Sequence, residues 1–166
     1  MKQKGTLTFV CGKMGAGKST ISKVLAAEKN AVLLSEDEWL RMLYPEQIQS
    51  FDDYIKYSKI IKPLVKSHVQ NILLTGSNEV LDFPANTKKQ RSWFKQLSDE
   101  VGCGHVLVYL NLSDEQCLVR IAKRRTEQPE RAHFDTKTVF HHVSAYFEAL
   151  SLDEDLNIVD AAEMRI

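Results

Sequence analysis

Cysteine is scarce in this sequence: three in 166 residues, at Cys11, Cys103 and Cys117. They make neither a C-x-x-C pair nor a zinc-ligand spacing, and an odd number cannot all pair within one chain. A disulfide-stapled scaffold is excluded, and the expectation is reduced thiols in a cytoplasmic protein. Net charge is missing too, because Lys+Arg and Asp+Glu both number 22. A protein that grips nucleic acid by its phosphates normally carries a basic surface, so a nucleic-acid partner is disfavoured, although a local basic patch is left open. No apolar run reaches bilayer-spanning length, which disfavours a membrane. The opening Met-Lys-Gln-Lys-Gly leads straight into a strand-like segment, with no apolar leader ahead of it. Repeats, low-complexity tracts and linker compositions are also lacking. What is present, 43% apolar and 27% charged residues, suits one globular domain over residues 1–166 with a single core.

Short apolar runs alternate with helical periods. Residues 6–11 (TLTFVC) are β-branched and aromatic and end at glycine, which predicts a buried strand. Ile21, Val24 and Leu25 keep i, i+3, i+4 spacing, so a helix follows. Residues 31–34 (AVLL) form a second strand that stops at the polar cluster Ser35-Glu36-Asp37-Glu38. A long helix is predicted from Asp52 to about Leu74, with Pro63 either kinking it or opening a second helix. The third strand has two candidate positions, 71–75 and 79–83. The later one is preferred, because the helical period persists to Leu73 and Gly76 suits the residue just past a helix end. Thr87-x-x-Gln90 and Ser113-x-x-Gln116 are capping boxes for two further helices, flanking a fourth strand at 106–110. A last helix is expected to carry Val139, Val143, Phe147 and Leu150, before a fifth strand at 156–159. Alternation of this kind implies an α/β domain with a parallel sheet and right-handed crossovers.

Between the first strand and its helix lies Gly12-Lys13-Met14-Gly15-Ala16-Gly17-Lys18-Ser19-Thr20, which matches the G-x-x-x-x-G-K-[ST] phosphate loop in its proper context. Glycines let successive backbone N–H groups converge on an anion, and the helix start adds its positive dipole end. Lys18 supplies a mobile charge for the outer phosphates, and the Ser19 hydroxyl is a ligand for Mg²⁺.

In open parallel sheets, ligands bind at the carboxyl ends of the strands. Glu36, Asp37 and Glu38 follow the second strand, with Arg41 one turn on; Asp82, Asn86 and Arg91 follow the third. Asp82 is the candidate partner of a metal-bound water, and Asp37 the candidate for accepting or orienting an acceptor hydroxyl. Asn86, Arg41 and Arg91 are candidate contacts to the second substrate. Plainer explanations stand beside these. Asp37 also suits the N-cap of a short helix over 38–43, Asp82 an ordinary strand-end acid, and the two arginines a solvated helix face. Arg120, Lys123, Arg124 and Arg125 crowd one helix end, where cations complement the dipole. The polar, Pro-containing stretch beyond them reads as a mobile loop, so residues of about 120–136 are expected to form a lid. His133, His141 and His142 lack metal spacing and read as structural or surface histidines.

The order GKMGAGKST, SEDEWLR, LDFPANTKKQR and VYLNLSDEQCLVRIAKRR resembles the small P-loop kinases, among them phage polynucleotide kinase, zeta-toxin and chloramphenicol phosphotransferase relatives, and gluconate- or shikimate-kinase-like enzymes. It is most similar to a bacterial group of AAA-type ATP-binding proteins that share the D-F-P-A-N-T stretch. The resemblance covers nearly the whole chain. It implies a three-layer α/β/α P-loop fold with a five-stranded parallel sheet in the order 2-3-1-4-5. It also implies an ATP and Mg²⁺ site at Gly12 to Thr20, an acceptor-activating acid at Asp37, and lid arginines at Arg120 and Arg124. An Asn-Lys-x-Asp guanine signature is absent, which points to ATP. The expected function is transfer of the γ-phosphate to a hydroxyl of a small-molecule acceptor. The alternatives are a nucleotide switch or weak ATPase working through a protein partner, and a nucleic-acid 5′-hydroxyl kinase. The acid cluster favours transfer, because a switch needs no base facing the γ-phosphate.

Overall fold

In the computed structural model, which describes residues 3–164, the first apolar run becomes β1 (Leu7–Gly12), buried along its whole length. It lies at the centre of a sheet completed by β2 (Ala31–Ser35), β3 (Asn78–Asp82), β4 (His105–Leu110) and β5 (Ile158–Asp160). The order is β2-β3-β1-β4-β5, with every pairing parallel. This is the expected doubly wound arrangement, and parallel pairing requires crossovers that cover both faces.

The helices are α1 (Lys18–Glu28), α2 (Glu36–Leu43), α3 (Phe51–Leu74), α4 (Lys88–Val101), α5 (Asp114–Glu127) and α6 (Lys137–Ser144). Side chains alternate across the sheet. Leu7, Phe9 and Cys11 pack with residues of α2, α3 and α4, whereas Val10, Val80 and Val108 pack with Leu25 and Ala26 of α1. A third cluster, Ala16, Cys117, Ile121 and Phe140, joins the phosphate loop to α5 and α6. Along α3 the buried positions Ile61, Val65, Val69 and Leu73 recur every four residues. Burying four such side chains contributes roughly 6–12 kcal/mol of gross stabilisation, which exceeds the ~3 kcal/mol cost of one internal proline. The helix accordingly passes through Pro63 as a single element, with that residue on the exposed side.

The later of the two positions for the third strand is the observed one. Thr75 caps α3, and Gly76 takes φ +92°, a left-handed helix stop that glycine adopts readily. Both expected capping boxes form, at Thr87–Gln90 and Ser113–Gln116. The last helix is shorter than its period suggested. α6 ends at Ser144, and Phe147 and Leu150 reach the main core from the irregular segment beyond it. There the backbone is drawn to the loop before α4: Glu148 N–H donates to Asn86 O at 2.8 Å, and Lys88 N–H donates to the Glu148 carboxylate at 2.8 Å.

Arg91 is neither a substrate contact nor a solvated residue. It is fully buried on α4 and pairs with Glu154 through two hydrogen bonds of 2.6 and 2.9 Å. Its remaining donors reach Ala85 O at 3.2 Å and Ala149 O at 3.4 Å. The guanidinium thus ties the loop after β3 to the segment leading into β5. Removing one partner of a buried pair leaves the other charge uncompensated, at a cost of about 3–5 kcal/mol. Arg91→Ala should therefore lower the melting temperature by about 2–4 °C per kcal/mol lost, measured by calorimetry; an unchanged melting temperature would refute the structural role.

Glu79, within β3, is also buried. It faces the same side as Leu81, and neither carboxylate oxygen has a hydrogen-bond partner among the described residues. Burial pushes its pKa up to about 8, so the acid is mostly neutral at pH 7. Because the folded-state value is raised, its stability contribution is full below the ordinary value of 4.5 and is lost as pH rises through about 8. Glu79→Gln should flatten the fall in melting temperature across that window, relative to wild type, in a pH series of thermal melts.

Candidate active site

The turn from β1 into α1 requires glycine twice. Gly15 has φ +79°, and a Cβ there would come within 2.7 Å of Cys117 O and of the Ile121 side chain. Gly17, at φ +96°, is the residue from which α1 starts. The helix therefore begins on a reversed backbone, and the N–H groups of its first turn face the loop without helical partners. Met14 and Ala16 pack into the α5–α6 cluster, while Ser19 and Thr20 lie exposed. Lys13 leaves the loop sideways, pairing with Asp114 at 2.6 Å beside the Phe147 ring.

Lys18 bends over the loop and donates to Gly12 O at 2.9 Å and Lys13 O at 3.3 Å. Burial pushes its ammonium below the ordinary lysine value, against the pull of the Asp82 and Asp37 carboxylates. Asp82 stands at the end of β3, where burial pushes its carboxyl up and the neighbouring Ser19 hydroxyl opposes that rise. Register explains the convergence: Ser35 is aligned with Asp82 across the β2–β3 pair, and the chain turns directly into α2. The N-cap of α2 is Ser35, whose hydroxyl accepts from Glu38 N–H. Asp37 is thus not the cap; it is exposed in the first turn. A hydroxyl and one nearby carboxylate are hard oxygen donors of the kind Mg²⁺ uses when it keeps most of its water. No cluster of three or more His, Cys, Asp or Glu suited to a metal occurs among the described residues.

Glu36 has a role beyond the acid cluster in which the sequence places it. It is buried and accepts hydrogen bonds from Tyr54 and from Ser58, the latter at 3.1 Å. Burial raises its pKa against those two donors. The Tyr54 hydroxyl is pushed well above its usual value, first by burial and then by Glu36, with Asp37 and Asp82 acting in the same direction. Tyr54 and Ser58 are one turn apart on the inner face of α3, and polar groups on that face were the available signal. Beside them a cavity of about 240 Å³ opens between α2, α3 and the start of α4, lined in part by Glu36, Lys62, Lys89 and Trp93.

The remaining candidates separate. Arg41 is exposed in the last turn of α2 and makes no ion pair among the described residues. Asn86 keeps its side-chain oxygen buried without a partner. Arg120 donates to Ala16 O at 2.8 Å, so its guanidinium lies against the phosphate loop. Arg124 turns the other way, onto the buried Asp135, with hydrogen bonds of 2.8 and 2.5 Å. The stretch expected as a mobile loop is largely structured: α5 extends to Glu127, a 3₁₀ turn follows at Pro129–Arg131, and Asp135 anchors its end. Cys11, under the loop, has its thiol pushed up to about 11, mainly by burial, which makes it inert as a nucleophile. No described helix is long and apolar enough to cross a membrane.

Comparison with known proteins places this geometry in context. The family model described as an AAA domain matches residues 7–150. A shikimate kinase of Bacillus mycoides (strain KBAB4) is 26% identical over 157 residues, covering 89% of this chain and 86% of the relative. Among solved structures, Kti12 of Chaetomium thermophilum in complex with ADP-AlF3 superposes with a TM-score of 0.65 at 14% identity, over 96% of this chain and 91% of that one. The APS kinase CysC of Mycobacterium tuberculosis, in complex with AMPPNP and APS, gives 0.61 at 14% identity, over 97% and 91%. At these identities the two structures establish the shared P-loop kinase-like fold.

Proposed function

The chain belongs to the AAA domain family, and from that premise we propose that it is a cytoplasmic, ATP-dependent phosphotransferase acting on a hydroxyl of a small molecule. The observation that carries this reading is the convergence of two carboxylates near the phosphate-loop ammonium of Lys18: Asp82 ends β3 in register with Ser35, and Asp37 follows Ser35 in the first turn of α2, next to Glu36, which lines a cavity. A site that only held nucleotide would need the loop and the metal partners alone. A base facing the outer phosphate, with room for a second substrate next to it, is what transfer requires.

The roles follow from position. The loop N–H groups and Lys18 hold the phosphates and offset charge as it shifts toward the leaving group. Ser19 and Asp82 would hold Mg²⁺, which would offset part of the negative charge of the phosphates. Asp37 accepts the acceptor's hydroxyl proton as that oxygen bonds to the γ-phosphorus. The bond from the γ-phosphorus to the β,γ-bridging oxygen breaks, and its electron pair leaves with ADP. Arg120, held on the loop, adds positive charge over the phosphates. The 120–136 segment is read as the lid of a single domain spanning residues 1–166, with Arg124–Asp135 as the latch that keeps it shaped. Asn86 and Arg41 are left as acceptor-side contacts, and Arg91 is not.

Two measurements test the reading. Lys18→Ala removes a charged hydrogen-bond donor worth about 1.5–3 kcal/mol, so affinity for ATP should fall roughly tenfold or more by calorimetry; unchanged binding and turnover would refute the phosphate-loop assignment. ATP turnover should be stimulated by one or more members of a panel of sugars, hydroxy acids, nucleosides and 5′-hydroxyl oligonucleotides. Asp37→Ala should cut that stimulated rate by about 10²-fold or more, the usual contribution of a positioned base. Slow turnover indifferent to every acceptor and to Asp37 would favour the weak ATPase working through a protein partner.

A further inference from the structure

The cavity beside Glu36 has an uneven chemistry. Its lining includes the aromatic rings of Tyr54, Phe83, Trp93 and Phe94, with Lys59 and Lys62 from α3 and Lys89 from α4. Among the described residues none of the three lysines has an ion-pair partner, although nine such pairs form elsewhere. The one acid in the lining, Glu36, is already engaged by Tyr54 and Ser58. Lys62 rests 5.0 Å from the centre of the Trp93 ring; burial lowers its pKa, the Glu36 carboxylate opposes that fall, and Lys89 and Lys59 add to it. Glu36 offsets part of their charge, but three lysines over a partly apolar hollow outnumber that one acid, and the excess costs free energy unless an anion completes the group. Thr87 and Gln90, also in the lining, bring the N-terminal end of α4 to the same place, and its dipole favours negative charge. The cavity's 240 Å³ falls below the ~300–1,000 Å³ of sites for drug-sized ligands. That suits a single ring or a short chain.

We infer that this cavity holds the phosphoryl acceptor, and that the acceptor is a compact anion: a hydroxyl-bearing molecule whose carboxylate or phosphate group lies among Lys59, Lys62 and Lys89 while its hydroxyl reaches Asp37. The inference rests on the transfer reading for the word acceptor, and on the cavity alone for the anion. Trp93 and Trp39 are the only tryptophans, so a Trp39→Phe background makes Trp93 a reporter inside the cavity. With excess MgADP filling the phosphate loop, phenyl phosphate and benzoate are titrated as anionic probes, the first for phosphate and the second for carboxylate, against neutral benzyl alcohol. At least one anion should quench Trp93 fluorescence at concentrations where benzyl alcohol does not. The double variant Lys59→Ala/Lys89→Ala, at residues that are exposed, should weaken that binding about tenfold without lowering the melting temperature.

Turnover is then read with matched acceptors: glycerol, glycerol 3-phosphate and glycerate, and glucose, glucose 6-phosphate and gluconate. Stimulation confined to charged members, with a raised KM in the double variant, supports the inference and shows which anion is used. Equal binding of charged and neutral probes, or anion affinity untouched by the lysine changes, overturns it. Stimulation by neutral acceptors alone also overturns it and leaves the transfer reading standing. Charge-selective binding with no acceptor-stimulated turnover overturns the transfer reading and leaves the anion site.

Discussion

Everything at this site depends on one reversal of the chain. β1 runs through the middle of the sheet with no exposed residue, and the backbone must leave it and re-enter as α1 within a few residues. That is possible only with left-handed residues at Gly15 and Gly17, and only if nothing but hydrogen projects from Gly15 toward α5. The same geometry turns backbone N–H groups inward, so folding and phosphate recognition are met by one set of dihedral angles. The loop's fit is a consequence of how a buried parallel strand hands over to its crossover helix.

The reversal also determines what α5 does. Cys117 and Ile121 pack directly on the loop with Ala16, and Phe140 of α6 closes the cluster. Two polar ties join the same elements, Lys13 to Asp114 and Arg120 to Ala16 O. The ion pair is partly exposed, and such pairs contribute about 1 kcal/mol or less, whereas each buried apolar side chain contributes about 1.5–3 kcal/mol. Packing therefore holds α5 on the loop, and the charges orient it. On the opposite side, β2 and β3 end in register, so that the acid closing β3, Asp82, lies beside the acids Glu36 and Asp37 that follow β2. Donor-side and acceptor-side groups thus come from elements on the two flanks of β1, joined through the sheet.

Legibility varied with the range of the interaction. The glycine loop, the capping boxes at Thr87 and Ser113 and the end of α3 at Gly76 are local, set by neighbours a few residues apart, and each was readable in the linear pattern. The helix expected through Leu150 was not, because its continuation is stopped by hydrogen bonds to Asn86 and Lys88, which lie some sixty positions earlier. Arg91 misled for the same reason. Its type and its place after a strand suggest an anion contact, but its partner Glu154 lies 63 residues away in the chain. Arg120 and Arg124 share one face of a helix, yet one meets the loop and the other meets Asp135, a division set by what packs against each end.

By itself the sequence determined that this chain alternates strand and helix, that its first turn is built for phosphate, and that acids follow the neighbouring strands. Those features are encoded in spacing, and spacing survives without coordinates. Only the tertiary structure decided which charges are spent on one another and which remain for a ligand. Arg91, Arg124 and Glu36 are each satisfied by a partner elsewhere in the chain, whereas Lys59, Lys62 and Lys89 gather around a cavity whose one acid, Glu36, they outnumber. A side chain's partners are fixed by folding, and no local pattern carries that information.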